Sequence, residues 1–377
     1  MQLARRQFFR QVATGIAASA VLPVVGKSAW SGNWRAMQAG TSGTKIHLDA
    51  NENPYGPSQA ALEALRGDAT AANRYAKHEY GDLVDAIAAK HGVKTEQVVL
   101  GCGSSENLGM AAEVFLGPGK TLFVASPTFE LMVTQAAENK SQVVSLPLTK
   151  DYAHDIDGIL SRASASSSGV VYICNPNNPT GTLTPRADLE ALLRKLPASY
   201  TVIIDEAYHH FVGATPAYTS FLDKPVDDER VVVLRTFSKI YGMAGVRCGY
   251  SVAAPAVAKR LAAEQVKFGM SVLTAKAALA TWNDWDSVRT GAARNAADRG
   301  EFYAQIKKRG LVSIPSETNF AMFRTGRPAP DVIAYFRKND VLIGRPFPPY
   351  TDYIRVSLGL PAEMQEFWRV WDAMPAA

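Results

Sequence analysis

Residues 230–250 read RVVVLRTFSKIYGMAGVRCGY. The apolar run Val231–Leu234 has the character of a buried strand. Lys239 stands just beyond it, behind Ser238, and Arg247 follows eight positions later. An ammonium group at the end of a buried strand loses hydration unless it is paired or covalently used. The stretch therefore asks for a fold that places strand ends at a reactive site.

The flanking sequence supplies that fold. QVVLGCGSSENLGMAAEVFL (97–116) reads as strand, glycine turn and helix, with SSEN as the helix entry, and TLFVASPTFELMVTQAAE (121–138) repeats the order. GVVYICNPNNPTG (169–181) and YTVIIDEAY (200–208) are short apolar strands that run into polar residues. Such strands, separated by helices, argue an α/β fold with a mainly parallel sheet covered on both faces. The polar residues follow the strands, at the carboxyl ends where open α/β sheets bind ligands. After about Ala263 the texture changes to helices and short strands of α+β type. The expected organisation is a large domain over 68–265 and a smaller one built from 41–67 with 266–377.

Charge excludes one class of partner. The net +5 resides in residues 1–40, which hold Arg5, Arg6, Arg10, Lys27 and Arg35 and no acid; the remaining 35 basic residues are matched by 35 acidic ones. Nucleic-acid binding has no global electrostatic support. Arg5-Arg6 before Gln7-Phe8-Phe9-Arg10, then the apolar run Val12–Val25, resembles a twin-arginine signal over residues 1–30. The run is too short for a comfortable membrane span. The expectation is an exported or periplasmic protein with no membrane span once mature; the alternatives are a cytoplasmic protein with an amphipathic N-terminal helix, or an uncleaved anchor. Cys102, Cys174 and Cys248 show no metal-ligand spacing and read as free buried thiols, and no metal site is indicated.

The chemistry-bearing residues come next. Asp205 ends a buried strand, so a cationic partner is expected; a structural salt bridge satisfies it, and so does the protonated ring nitrogen of a heteroaromatic cofactor. Tyr208, three residues on, is placed to contact a ring substituent. NPNNPTG is a rigid turn by composition, and Asn178 in it can present an amide to a ring oxygen. Ser104 and Ser105 at a strand-to-helix turn, with Thr236, Ser238 and Arg247, form a candidate phosphate cradle. Lys239 adds an amine able to form a Schiff base. Together these parts fit pyridoxal 5'-phosphate.

DANENPYGPS, GCGSSE, NPNNPTG, DEAY, TFSKIYGMAGVRCGY, ETNFAMF and YIRVSLG together make the chain resemble a class I/II aminotransferase of fold type I, in the texture of the histidinol-phosphate aminotransferase group, from about Ile46 onward. The resemblance implies a seven-stranded, mainly parallel sheet sandwiched by helices. It implies Lys239 as the cofactor lysine and proton shuttle, Asp205 beneath the ring nitrogen, and Asn178 and Tyr208 at the ring oxygen. Ser104, Ser105, Thr236, Ser238 and Arg247 take the phosphate, and Phe129 stacks on the ring. Tyr55 resembles a residue that reaches the neighbouring subunit's cofactor, which implies a homodimer. Arg355 resembles the arginine that receives the substrate's anion, with Arg345 as a second contact. The implied reaction moves an amino group from a histidinol-phosphate-like or aromatic donor to a 2-oxo acid such as 2-oxoglutarate. A decarboxylase or carbon–sulfur lyase on the same fold, and a non-catalytic exported binding protein, are the alternatives. A Rossmann dehydrogenase is disfavoured, since no G-x-G-x-x-G follows an early strand.

Overall fold

A computed structural model of the chain describes residues 45–76 and 78–375. The twin-arginine segment lies outside the described residues.

Seven strands form the central sheet. Their order is β2 (Val98–Gly101), β8 (Gly249–Val252), β7 (Val231–Thr236), β6 (Tyr200–Asp205), β5 (Gly169–Cys174), β3 (Thr121–Ser126) and β4 (Gln142–Pro147). β8 runs antiparallel to both its neighbours and all other pairs are parallel. This is the α/β sheet expected from the sequence. β5 and β7 are buried at every position, as strands covered on both faces must be. Along β5, Val171 and Ile173 enter one apolar cluster while Val170, Tyr172 and Cys174 enter the other.

Helices close each face. α1 (Gln59–Gly67), α2 (His78–His91), α5 (Ile156–Ala163), α6 (Arg186–Lys195) and α8 (Val272–Asn283) contribute to the first cluster. α3 (Ser104–Phe115), α4 (Leu131–Glu138) and α7 (Pro255–Ala263) cover the second. Side chains fix several helix starts: Ser58, Asp155 and Ser271 accept from the backbone N–H three residues on. The boundary read at 265/266 falls before α8, whose Ala277, Ala278 and Trp282 pack in the first cluster.

A third cluster forms around the antiparallel strands β9 (Val312–Ile314), β10 (Phe320–Arg324) and β12 (Tyr353–Ser357), in the order β12-β10-β9. α9 (Trp285–Lys308), α10 (Ala329–Lys338) and α11 (Pro361–Asp372) pack on them. β1 (Ile46–Leu48) pairs in parallel with β11 (Val341–Ile343) alongside. Alternation along β10 joins this unit to the large sheet. Ala321 and Phe323 face the third cluster, whereas Phe320 joins the first and meets Tyr208 edge-on at 5.0 Å between ring centroids.

One buried ion pair steadies the end of β6. Arg235 donates from Nε to Glu206 Oε2 at 3.0 Å and from Nη2 to Ser220 Oγ at 2.6 Å. Ser220 Oγ and the Phe221 N–H in turn donate to the same carboxylate, at 2.6 and 2.9 Å. Glu206→Ala leaves buried Arg235 with only the half-exposed Asp223, 3.9 Å away, at a cost of about 3 kcal/mol. Urea denaturation checks this: the midpoint falls sharply in Glu206→Ala and hardly moves in Glu366→Ala, which removes an exposed pair with Arg369.

Candidate active site

The sheet register brings the separate motifs to one edge. Cys174 stands opposite Asp205, which stands opposite Leu234. Thr236 stands opposite Gly249, which stands opposite Gly101. The turns that follow β2, β5, β6 and β7 therefore open side by side, and a chain ordered by sequence becomes a site ordered in space.

The cradle forms between two of these turns. Thr236 Oγ1 accepts from the Ser238 N–H at 3.1 Å and donates to Ser238 Oγ at 2.9 Å. Arg247, in a left-handed conformation (φ 66°), reaches Ser238 Oγ at 3.2 Å, Ala244 O at 2.9 Å and Cys102 O at 3.5 Å. Its guanidinium occupies space that only glycine leaves open: a Cβ on Gly103 would sit 2.1 Å from Nη2, and Gly103 itself has φ 77°. Gly103 caps α3 without a side-chain bond, so the helix entry is this glycine and not a serine. Half-buried Ser104 and exposed Ser105 form its first turn, at the positive end of the helix dipole.

Asp205 and Lys239 lie beyond the cradle. Asp205 is buried, and its carboxylate accepts from Tyr172 Oη at 2.9 Å and from the Ala207 N–H at 3.1 Å. The expected protein cation is not there. Among the described ion pairs, Arg235 takes neighbouring Glu206 instead. Burial raises the Asp205 pKa to about 6, against the lowering effect of Tyr172 and Ala207. Lys239 Nζ donates to Ala50 O at 3.1 Å and lies 5.7 Å from the centre of the Tyr208 ring. Its pKa falls to about 8. Burial is the largest cause, with Arg355 and Arg247 adding to it.

Arg355 is buried and has no carboxylate partner among the described residues. It donates from Nη1 to Asn178 Oδ1 at 2.7 Å and from Nη2 to Asp49 O at 2.5 Å, while its Nε has no partner. Burial brings its pKa down to about 10. Tyr208 Oη accepts from Asn51 Nδ2 at 3.0 Å. Thus Asp49, Ala50 and Asn51 hold Arg355, Lys239 and Tyr208 in turn. In the sequence only Tyr55 stands out beyond this segment; in the fold Asn51 is buried with φ 54°.

Three further expected residues make contacts of their own. Phe129 is half-buried at the margin of the second apolar cluster. Tyr55 donates to Asp298 Oδ2 at 3.0 Å, under the guanidinium of Arg294. Arg345 pairs with Glu130 at 2.7 Å on the rim.

Pyridoxal phosphate asks for an anion cradle, a carboxylate under its ring nitrogen and an amine within reach of its carbonyl. The residues fit: Gly103 gives the cradle its room, Asp205 lacks a protein cation, and Arg355 keeps an unpartnered buried donor. Gly103→Ala drives a methyl group into Arg247 and strains the backbone. The loss of that charge-assisted contact, about 1.5–3 kcal/mol, weakens cofactor affinity about ten- to a hundredfold. Equilibrium titration of the apoprotein with pyridoxal phosphate measures it.

Residues 43–369 match the family model for aminotransferase class I and II. The histidinol-phosphate aminotransferase of Moorella thermoacetica is 34% identical over 326 residues, 86% of this chain and 84% of that protein. That of Symbiobacterium thermophilum is 35% identical over 324 residues, 85% of this chain and 88% of that protein. Among solved structures, the histidinol-phosphate aminotransferase of Sinorhizobium meliloti in complex with pyridoxal-5'-phosphate superposes with a TM-score of 0.84. It is 26% identical and covers 96% of this chain and 98% of that one. With strand-end motifs, cradle and sheet order all in agreement, the chain belongs to the class I and II aminotransferases.

Proposed function

We propose that this aminotransferase uses pyridoxal 5'-phosphate to move an amino group from histidinol phosphate or a close analogue to a 2-oxo acid such as 2-oxoglutarate. The observation that carries the donor assignment is Arg355, a buried guanidinium with an unpartnered Nε and no carboxylate on it. A phosphate or carboxylate on the substrate satisfies that donor. The similarity to curated histidinol-phosphate aminotransferases favours the phosphate.

Bound pyridoxal phosphate supplies an electron-poor ring that stabilises negative charge at the donor's α-carbon. Asp205 would hold a proton on the ring nitrogen, and its burial would strengthen that contact. Arg247, Ser238, Thr236 and the first turn of α3 hold the phosphate. Tyr208 and Asn178 orient the ring oxygen, each fixed by a partner, Asn51 and Arg355 respectively. Lys239 would hold the cofactor through its amine and would serve as the base for the proton on the donor's α-carbon. An amine with a pKa near 8 is neutral in a sizeable fraction at neutral pH, as this step requires.

The active unit in this reading is a homodimer, exported through the N-terminal twin-arginine segment. Tyr75 and Phe268 support the dimer: they are 72% and 54% exposed and pack on each other at 4.9 Å. Light scattering of the holoprotein should give twice the 40.7 kDa of one chain, and Phe268→Asp should shift the mass downward. A monomeric wild type overturns the dimer. Fusion of residues 1–40 to a reporter that is active only after export, with Arg5-Arg6→Lys-Lys as control, tests the signal.

An absorbance titration tests the reaction. Histidinol phosphate should convert the bound cofactor to its amino form, and 2-oxoglutarate should restore it. Lys239→Ala should lower the rate of that conversion about 10²–10⁴-fold. Conversion by phenylalanine or tyrosine alone, or carbon dioxide release without an amino product, overturns the assignment. Capture of the cofactor by the apoprotein needs neutral Lys239, so its rate should rise with pH and level off above about 8. Arg355→Leu removes a charge that lowers the lysine pKa, which moves that midpoint to higher pH.

A further inference from the structure

The transamination reading leaves two thiols unused at the edge of the phosphate cradle. We propose that Cys102 and Cys248 are a disulfide-forming pair whose closure links the two arms of that cradle.

The register places them. β2 and β8 are antiparallel and their ladder ends with Gly101 opposite Gly249, so Cys102 and Cys248 are the first residues beyond it on the two strands. The Ala253 N–H bonds to Gln97 O at 3.1 Å, which makes 97/253 a hydrogen-bonded pair. Alternation then makes 99/251 and 101/249 the same kind and 98/252 and 100/250 the closer, non-hydrogen-bonded kind, the phase that Cys102 and Cys248 would continue one step beyond the ladder. Leu100 O agrees with this phase, since it accepts from the Gln265 side chain at 2.9 Å. Non-hydrogen-bonded partners have Cα atoms roughly 4.5 Å apart, at the short end of the disulfide range of roughly 4.4–6.8 Å.

The side chains share a face. Leu100 and Tyr250 enter the first apolar cluster, and two residues further along each strand Cys102 and Cys248 pack against that same cluster. Both thiols also act electrostatically on the Tyr80 hydroxyl. Cys102 is half-buried and open to a small reagent, while Cys248 is buried. Cys174, the third thiol, lies in the second cluster on the opposite face and donates to Pro176 O at 3.3 Å.

The oxidant is a low-molecular-weight disulfide. Cys102 Sγ, as thiolate, attacks it and expels one thiolate, leaving a mixed disulfide on Cys102. Cys248 Sγ then gives up its proton to water and attacks Cys102 Sγ, expelling the second thiolate. Two protein thiols are oxidised and one reagent disulfide is reduced to two thiols. Burial, with the neighbouring Cys102, pushes the Cys248 thiol up, so the second step is slow at neutral pH and faster at alkaline pH. The bond joins the turn that leads into α3 to the loop that carries Arg247, across the gap now spanned by the contact from Arg247 Nη2 to Cys102 O at 3.5 Å. Oxidising compartments are where such a bond persists.

The test incubates holoprotein with oxidised glutathione at mildly alkaline pH, then denatures it, counts thiols and maps peptides. The count should fall from three to one, with the peptides of Cys102 and Cys248 joined. Cys174→Ser should fall from two to none. Three surviving thiols, separate glutathione adducts on each cysteine, or a bond to Cys174 would overturn the pair. The cradle link rests on the pyridoxal-phosphate reading, whereas the thiol count does not. After dilution, oxidised holoprotein should lose its cofactor several-fold more slowly than reduced, and a dithiol should reverse this. An unchanged loss rate with the bond in place refutes the cradle link alone.

Discussion

Three cations, Lys239, Arg247 and Arg355, are gathered around one pocket, and among the described ion pairs none has a carboxylate partner. Burying charge in this way is costly, and the chain meets the cost with neutral acceptors. Ala50 O receives Lys239, Asp49 O and Asn178 Oδ1 receive Arg355, and Ser238 Oγ with two backbone carbonyls receives Arg247. The contrast lies within one dipeptide. Glu206 is buried against Arg235 and fully bonded, while its neighbour Asp205 is left with a hydroxyl and an amide. A fold that pairs one acid so completely leaves the next without a cation where a ligand supplies the missing charge. The pocket as built is complementary to a dianionic phosphate, a protonated ring nitrogen and a substrate anion.

Much of this was legible in the sequence because the important side chains follow strands. Lys239, Asp205, Asn178 and Arg247 each come after an apolar run, where a polar residue has a reason to stand out. The mainly parallel sheet followed from the same runs, and its seven strands from the family resemblance. What sequence did not carry was interaction through the backbone. The stretch from Asp49 to Asn51 works largely through main-chain carbonyls, which any residue has, so the hold of the first strand's exit on three functional side chains was invisible. The partner of Asp205 was equally beyond reach: Arg235 is one β-strand position before Thr236, and only packing decides that it turns to Glu206. The juxtaposition of Cys102 and Cys248 needed a strand register, since the two are far apart in the chain and their spacing carries no motif.

The lysine illustrates how one environment serves two demands. A cofactor-tethering amine must be neutral often enough to react, yet must stay in a site rich in charge. Burial alone moves it in the required direction, and the nearby guanidiniums add to the effect, while Asp205 and Glu52 oppose it. Removing the acids would favour the neutral amine further but would leave the ring nitrogen without its counter-charge. The observed balance therefore reflects the ring's need as well as the lysine's.

In the proposed function, specificity for the donor would rest on the outer part of the same electrostatic arrangement. The Phe347 ring lies 4.4 Å from the Arg345 guanidinium and 4.9 Å from that of Arg355, so an exposed cation and a buried one border the same ring. Glu130 neutralises the outer cation, whereas the inner one keeps an unpartnered Nε. An incoming anion meets less competition at Arg355 than at Arg345, where it must displace a carboxylate exposed to water and therefore weakly held. In the proposed function the inner arginine would set where the anion docks, and the outer pair how much additional negative charge the substrate can carry.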